Sequence, residues 1–259
     1  MNEPSFPIPA ALAQALRDAR FVAVLTGAGV SAESGVPTFR DALTGLWARF
    51  DPRELATPSA FARNPQLVWE WYAMRRTMVG SVAPNAGHHA LADLERRVPG
   101  FLLATQNVDG LHQRAGSRQV VELHGNITRV KCSACAAPAA GWDEGAAPPR
   151  CAHCGAFLRP DVVWFEEALP ADALAAAEDA AARCDVLLVA GTSAEVYPAA
   201  ALPDHARRHG ARVVEINPSD TPLSALAHDT LRGPSGVVLP ALVAAAFGAP
   251  GSDPGRIGA

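Results

Sequence analysis

The chain has 259 residues, of which 49% are hydrophobic and 19% are charged, a composition typical of a folded domain with a substantial core. The formal net charge is -4, so a nucleic-acid backbone is not the expected partner. No apolar run approaches the roughly 20 residues that cross a bilayer, which excludes a membrane-spanning protein. The first residues lack the pattern of a signal peptide, and we expect a cytoplasmic protein.

Short aliphatic runs alternate with longer amphipathic stretches, which predicts an α/β fold with a parallel sheet covered by helices on both faces. The predicted strands, in chain order, are Phe21 to Leu25, Phe101 to Thr105, Val120 to Leu123, Val186 to Ala190, Val213 to Ile216 and Val237 to Leu239. The predicted helices are Ala10 to Ala19, Pro65 to Val79, His88 to Arg97, Ala171 to Arg183, Pro198 to His209 and Pro240 to Phe247. Ligands of such sheets bind beyond the carboxyl ends of the strands.

Two regions interrupt this alternation and are expected to form a small lobe over the strand ends. Residues 41–84 have a helical pattern without a strand, and residues 129–159 hold paired cysteines among Ala, Pro and Gly. The large lobe is expected to contain the rest of a single domain over residues 1–247, namely residues 8–40, 85–128 and 160–247. Residues 248–259 are rich in Gly and Pro, which predicts a disordered tail.

A glycine-containing turn follows the first predicted strand. Gly27 and Gly29 would let a phosphate approach the backbone, and a helix after the turn would direct its N–H groups at that phosphate. The third glycine is displaced to Gly35, so this turn alone is equally compatible with a structural strand-to-helix connection.

Small or amide-bearing residues also follow other predicted strands, at 105–109, 191–193 and 215–217. Asn and Asp are ordinary turn and capping residues, but such clusters at successive strand ends favour a dinucleotide site. His124 follows the third strand at the same edge, and an ordinary histidine pKa of about 6.5 makes it the candidate general base. The alternative for any single histidine is a hydrogen-bonded structural role.

The cysteines form two Cys-x-x-Cys pairs with the spacing of a zinc ribbon. Cys132 and Cys135 are separated from Cys151 and Cys154 by residues 136–150. Four thiolates complete a tetrahedral Zn²⁺ shell with no open position, so we expect a structural zinc rather than free or redox-active cysteines. Cys184 stands outside these pairs and is expected to be a packed core thiol.

These elements, in this order, resemble the sirtuin family of NAD-dependent protein-lysine deacylases. Besides the cysteine pairs, the motifs that carry the resemblance are Gly27 to Ser31, Ser34 to Arg40, Thr105 to His112, His124 with Gly125, Gly191 to Ser193, and Ile216 with Asn217. The resemblance implies a catalytic domain with a Rossmann-type large lobe and a small lobe that combines a zinc ribbon with a helical module. NAD and an acyl-lysine protein or peptide would occupy the cleft between the lobes.

The resemblance also implies roles for individual residues. His124 would deprotonate a ribose hydroxyl, and the products would be nicotinamide, O-acyl-ADP-ribose and free lysine, with zinc outside the reaction. Among the implied NAD-binding residues, Gly27, Ala28 and Gly29 line the pyrophosphate, Arg40 approaches a phosphate, and Phe39, which follows Thr38, covers the reacting sugar. The others are Gln106, Asn107 and Asp109 around the nicotinamide and its ribose, and Gly191, Thr192, Ser193, Asn217 and Ser235 on the adenosine half.

One local motif refines the expected substrate. Tyr72 and Arg75 are three residues apart, which places them on one helix face, and a guanidinium can hold a carboxylate in a fork. This Tyr-x-x-Arg resembles the class III sirtuins, which remove succinyl, malonyl or glutaryl groups, and Thr38 before Phe39 agrees with that subclass. The alternative is a core tyrosine beside a surface salt bridge. Arg76 is expected to point elsewhere.

The run from Arg159 to Glu167 resembles the family's peptide-binding stretch, where a substrate backbone pairs as an added strand. The residues implied to contact the peptide are Val162, Val163 and Trp164. The chain departs from the family pattern at Glu166, because glycine is common after the phenylalanine.

Three other functions share parts of these motifs. A protein ADP-ribosyltransferase would use the same NAD site, and an NAD-dependent dehydrogenase would need a redox substrate site. The zinc ribbon could also be a nucleic-acid-binding module, but residues 136–150 offer one base, two acids and one aromatic residue, Trp142, which is a poor phosphate and stacking surface. We therefore expect no direct nucleic-acid partner. The sequence does not fix the oligomeric state, and a monomer is compatible with it.

Overall fold

The structure is a computed structural model that describes residues 6–37, 55–143 and 145–248. Thr38, Phe39 and Arg40, three of the implied NAD-binding residues, lie outside the described residues. The predicted tail lies outside them too, apart from Gly248.

A six-stranded parallel sheet forms the centre of the molecule. Its strands are β1 (Phe21–Thr26), β2 (Gly100–Thr105), β3 (Val120–Glu122), β7 (Val186–Ala190), β8 (Arg212–Ile216) and β9 (Asp229–Leu231). They are arranged in the order β3-β2-β1-β7-β8-β9. The order reverses between β1 and β7, and this reversal is where doubly wound sheets bind their ligands.

Helices cover both faces of this sheet. In chain order, the α-helices are α1 (Ala10–Asp18), α2 (Pro58–Arg63), α3 (Pro65–Ser81), α4 (Ala86–Arg97), α5 (Leu111–Arg114), α6 (Ala171–Arg183), α7 (Leu202–Arg208) and α8 (Ser235–Phe247). Val22 and Val24 of β1 pack with α1, α4 and α8 on one face, whereas Ala23 and Leu25 pack with α6 and α7 on the other. Because both faces of the strands are buried, their sequences are continuously apolar.

A second, antiparallel sheet of three strands lies apart from the first. It contains β4 (Gly125–Cys132), β5 (Pro138–Ala139) and β6 (Leu158–Val162), in the order β5-β4-β6. Helices α2 and α3 pack beside it, and their caps are encoded locally: the Asn64 side chain accepts a hydrogen bond from Leu67 N at 3.0 Å, and Pro65 occupies the first turn of α3.

One predicted strand is wrong. Val237 to Leu239 lie in helix α8, and the sixth strand of the sheet is instead β9. The run from Val237 to Phe247 is apolar on every side, so its periodicity does not distinguish a buried strand from a buried helix. Pro240 lies inside the helix and does not mark its start. The other predicted strands match the structure to within one residue at each end.

No helix among the described residues is both long enough and apolar enough to cross a membrane.

Candidate active site

The glycine turn after β1 packs directly against the loop after β7. Gly27 N donates to Ala190 O at 3.1 Å, and Gly29 N donates to Gly191 O at 2.7 Å. A Cβ atom on Gly29 would lie 2.8 Å from Gly191 Cα, and one on Gly191 would lie 2.3 Å from Val30 N. These glycines are therefore required for the two loops to meet at the reversal of strand order. The sequence predicted glycine here for the approach of a phosphate and did not predict this contact between loops.

Polar side chains connect the strand ends into one rim. Gln106, after β2, donates through Nε2 to Thr192 Oγ1 at 3.0 Å, and Asn217, after β8, donates through Nδ2 to Thr192 O at 2.8 Å. Thr192 and the half-buried Ser193 follow β7, and Ala28 begins a 3₁₀ helix over Ala28–Ser34. The structure thus brings together residues that are far apart in the chain along one edge of the sheet.

Three buried polar groups lie at the inner end of this rim. Ser31 Oγ donates to Asp109 Oδ2 at 2.7 Å, and Asn107 Nδ2 donates to Ser31 Oγ at 3.1 Å and to Gly27 O at 3.1 Å. Burial raises the pKa of Asp109, although hydrogen bonds from Leu111 N and Ser31 oppose the shift. The sequence motifs contained Ser31, but no role was predicted for it.

Two further histidines lie beneath these groups. His88 Nε2 is 3.3 Å from Ser31 Oγ, His112 Nε2 is 2.9 Å from Thr26 Oγ1, and the two rings are 4.8 Å apart. Burial lowers the pKa of His88 to about 4 and that of His112 to about 3, so both rings are neutral at physiological pH. His88 contacts Ser31 and His112 contacts Thr26, so the two rings pack against the residues at the inner end of the rim. Nothing in the sequence spacing of the histidines indicated these contacts.

His124 lies between β3 and β4 and is half-buried. Its Nδ1 is 2.9 Å from the carbonyl oxygen of Gln106, which can only accept a hydrogen bond, so Nδ1 carries the proton and Nε2 keeps a lone pair. Burial lowers the pKa of His124, and the bond to Gln106 partly opposes the shift. The ring is therefore a neutral imidazole at physiological pH, as a general base requires.

Gly125 follows His124 and joins it to the second sheet. Its φ is +78°, and a Cβ at this position would lie 2.2 Å from the carbonyl oxygen of Asp161 in β6. Next to it, Val163 N donates to His124 O at 2.9 Å. The backbone around the histidine is thus fixed to the predicted peptide-binding stretch.

Tyr72 and Arg75 occupy neighbouring positions on helix α3. Tyr72 is buried in an apolar cluster with Val162 and Trp164, and Trp164 Nε1 donates to Tyr72 Oη at 3.0 Å. The Arg75 guanidinium lies over the Trp71 ring, 4.8 Å from its centroid. Burial raises the pKa of Tyr72 to about 12, although the positive charge of Arg75 opposes this shift. Burial likewise lowers the pKa of Arg75.

The stretch after β6 is held by a cluster that the sequence did not predict. Arg159 donates to Glu167 through its two terminal guanidinium nitrogens, Nη1 at 2.5 Å and Nη2 at 2.8 Å, and its guanidinium carbon lies 3.3 Å from the centroid of the Trp164 ring. Trp164 N donates to Glu167 Oε2 at 2.8 Å. Glu166 has φ +73°, so it keeps the left-handed backbone that usually favours glycine.

Ser235 is buried at the start of α8, whose N-terminus is held by Glu33. Gly236 N donates to Glu33 Oε2 at 2.6 Å, and a carboxylate is favourable at a helix N-terminus. Since Glu33 belongs to the 3₁₀ helix after the glycine turn, this contact joins two of the segments implied to bind NAD.

The paired cysteines form one cluster whose sulfur atoms all lie within 4.8 Å of one another. The distances from Cys154 Sγ to Cys132 Sγ and to Cys135 Sγ are 3.5 and 3.7 Å, and Cys135 Sγ is 3.8 Å from Cys151 Sγ. A tetrahedron with Zn–S bonds of about 2.3 Å has sulfur atoms about 3.8 Å apart, so the residues fit one structural Zn²⁺. Cys184 is buried in the core of the large lobe, as predicted.

Arg76 joins α3 to this cysteine module. Its guanidinium lies 5.2 Å from the centroid of the Trp69 ring and 5.3 Å from that of Trp142, and its Nε donates to Ile127 O at 3.0 Å. The prediction that Arg76 points away from Tyr72 and Arg75, here called the acyl pair, is compatible with this geometry. The contact of Arg76 with the cysteine module was not predicted.

Fold and site together define a class of protein: a Rossmann-type nucleotide-binding enzyme with a neutral histidine beside the rim of the sheet and a separate four-cysteine metal module. The Sir2 family model matches residues 27–198. A protein of Ralstonia nicotianae named NAD-dependent protein deacylase is 57% identical over 227 residues, which cover 86% of this chain and 91% of that protein. The chain therefore belongs to the Sir2 family.

Solved structures agree with this assignment. The crystal structure of a complex between a Sir2 homolog and NAD has a TM-score of 0.85 and 46% identity, covering 93% of this chain and 95% of that one. A structure of Sir2 with a p53 peptide and NAD+ has a TM-score of 0.78 and 32% identity, covering 87% of this chain and 92% of that one.

Proposed function

We propose that this NAD-dependent protein deacylase removes succinyl and malonyl groups, as well as acetyl groups, from lysine side chains of proteins. The observation that carries the proposal is that Tyr72 is buried in an apolar cluster with Trp71, Val162 and Trp164, and that the Arg75 guanidinium lies over the Trp71 ring, close enough to Tyr72 for its charge to lower the pKa of that phenol. An apolar setting strengthens a charge-assisted hydrogen bond to a carboxylate.

The cofactor fits the rim of the large sheet. We assign Gly27, Ala28 and Gly29 to the pyrophosphate, because their turn after β1 lies at the reversal of strand order, where doubly wound sheets bind their ligands. Asn107 and Asp109 are buried amide and carboxyl groups suited to a carboxamide. The adenosine half is assigned to the glycine, hydroxyl and amide groups after β7 and β8 and at the start of α8, namely Gly191, Thr192, Ser193, Asn217 and Ser235.

At this rim, bound NAD would supply a glycosidic bond whose cleavage releases nicotinamide and opens the ribose carbon to attack by the acyl oxygen. The chain supplies the base: Nε2 of His124 accepts a proton from a ribose hydroxyl, while Nδ1–H stays bonded to Gln106 O. One water molecule adds to the acyl carbon as the lysine nitrogen leaves, so that nicotinamide, O-acyl-ADP-ribose and free lysine are the products. The bond between Val163 N and His124 O keeps the base next to the peptide. The zinc held by the four cysteines contributes to folding and takes no part in the chemistry.

Replacing the cation of the acyl pair tests this proposal. Arg75→Met keeps most of the side-chain length and removes the charge, so kcat/KM on a succinyl-lysine peptide should fall by about 10- to 100-fold, as expected for a hydrogen bond to a charged group of about 1.5–3 kcal/mol. The same peptide carrying acetyl-lysine should change by less than about threefold. Equal losses on both peptides would reject the carboxylate clamp.

Separate observations bear on the cellular compartment and on the choice between deacylation and ADP-ribosyl transfer. Four of the five cysteines form the cluster that fits Zn²⁺ and Cys184 is packed in the core, a pattern typical of a reducing compartment such as the cytoplasm. Labelled NAD separates deacylation from ADP-ribosyl transfer, because label on free O-acyl-ADP-ribose supports deacylation and label retained on the target protein supports the transferase.

A further inference from the structure

We propose that Trp164 is a positioning residue for acidic acyl groups: its indole N–H fixes the hydroxyl of Tyr72 so that the phenolic proton is donated to the acyl carboxylate. This inference rests on the proposed removal of succinyl and malonyl groups and adds a residue to that specificity. It assigns to Trp164 a function separate from contact with the peptide backbone.

The direction of the hydrogen bond between the two side chains is fixed by chemistry. An indole N–H can only donate, so the bond of 3.0 Å from Trp164 Nε1 makes Tyr72 Oη the acceptor. The phenolic hydrogen must then point away from the indole. Among the described residues, none accepts a hydrogen bond from this hydroxyl, so its proton is available to a ligand.

Trp164 is held firmly enough to act as an orienting group. Its ring lies against the Arg159 guanidinium and packs at 5.3 Å, centroid to centroid, from the Phe61 ring. Its backbone N–H is bonded to Glu167, and only 2% of its surface is exposed. An indole fixed on these sides cannot follow a rotation of the Tyr72 hydroxyl, so the bond favours one orientation of that hydroxyl.

The state of Tyr72 is consistent with a donor. Burial raises the pKa of Tyr72 to about 12, so the phenol keeps its proton throughout the physiological range. With Arg75 on the same helix face, a carboxylate would receive one neutral O–H bond and the bonds of a guanidinium. An acetyl group has no carboxylate and gains nothing from this orientation.

The substitution Trp164→Phe removes the N–H donor and keeps an aromatic ring at the same position. We expect kcat/KM on the succinyl peptide to fall about 5- to 10-fold, mainly through KM, which corresponds to the loss of roughly one hydrogen bond. Because Trp164 also belongs to the predicted peptide-binding stretch, the readout is the ratio of kcat/KM on the succinyl peptide to kcat/KM on the acetyl peptide, and this ratio should fall about 5- to 10-fold. A fall of equal size on both peptides, or no change on either, would overturn the inference.

A double-mutant cycle separates orientation of Tyr72 from a general packing effect. In a Tyr72→Phe background there is no hydroxyl to orient, so adding Trp164→Phe should leave the succinyl-to-acetyl ratio of kcat/KM unchanged. A further 5- to 10-fold fall in that background would show that Trp164 acts without Tyr72. If the unmodified enzyme hydrolyses only the acetyl peptide, the proposed function itself fails, which is a different outcome from an insensitive Trp164.

Discussion

Glu166 is a non-glycine residue in a left-handed backbone conformation, with φ +73°, within the predicted peptide-binding stretch. Its neighbours fix this conformation, because Phe165 N donates to Ala56 O and Trp164 N donates to Glu167. A side chain in this region of φ and ψ is unfavourable by about 1–2 kcal/mol. The predicted peptide-binding stretch therefore keeps a glycine-like backbone conformation without a glycine.

Glu166→Gly should raise the free energy of unfolding by about 0.5–1 kcal/mol, because relief of the left-handed conformation exceeds the entropy that glycine loses on folding. Denaturant unfolding would measure it. The matched control is Glu178→Gly in helix α6, which should lower stability by about 1 kcal/mol. Destabilisation by both variants would contradict the strain assigned to Glu166.

His124 gives the enzyme a pH dependence whose sign follows from its surroundings. Burial lowers its pKa below the ordinary value of 6.5, and only the neutral ring accepts a proton. As pH falls, kcat/KM on an acetyl peptide should therefore stay constant through 6.5 and decline only at lower pH. A decline in kcat/KM centred at or above pH 6.5 would contradict this assignment.

His124→Ala should abolish turnover while NAD binding measured by calorimetry largely survives.

Helix α3 connects the acyl pair with the cysteine module. Tyr72 and Arg75 face the peptide-binding stretch and Trp71, whereas Arg76 lies between Trp69 and Trp142 and bonds to β4. The rotation of α3 about its axis is thus set by contacts on both sides of the helix. The placement of the acyl pair consequently depends on a module that has no direct contact with the reacting atoms.

Helices and strands were predicted well where the periodicity of hydrophobic residues agreed with the turn residues that border the element. The strand Val186 to Ala190 and the helix Ala171 to Arg183 have the predicted bounds, because each is bordered by turn residues. The segment Val237 to Leu239 was predicted wrongly since an apolar run has no period to separate strand from helix. Strand β9 has three residues, too few to show an alternation.

The site was predictable to the extent that its residues occupy strand ends, as Gln106, His124 and Thr192 do. The paired cysteines were predictable from spacing alone. Contacts between distant segments were not, because they depend on tertiary packing: examples are the bond from Trp164 to Tyr72 and that from Gly236 to Glu33. Thr38 to Arg40 remain predictions.

At the scale of the whole molecule, metal removal should affect one part of the structure first. The core of the cysteine module is small, with Trp69, Val130 and Leu158 as its buried residues besides Cys132 and Cys151, whereas the large sheet has two extensive clusters. Structural zinc contributes roughly 10–16 kcal/mol in small domains of this kind. The module therefore depends on the metal more than the sheet does.

Chelation of zinc should expose Trp69 and Trp142, which fluorescence would report, before the large sheet unfolds, which far-UV circular dichroism would report. Cys135→Ser should reproduce the fluorescence change without chelator, while Cys184→Ser, in the core of the large lobe, should leave zinc content unchanged. A single cooperative loss of both signals on chelation would show that the two parts unfold as one unit.

Gly125 has a consequence for how the second sheet can move relative to His124. Its backbone passes so close to β6 that no atom can be added between them, and the ring of the residue before it is bonded to the loop after β2. The carbonyl oxygen of His124 also accepts a hydrogen bond from Val163 N, just after β6. A shift of β6 would therefore carry the imidazole with it and alter the bond that selects its tautomer.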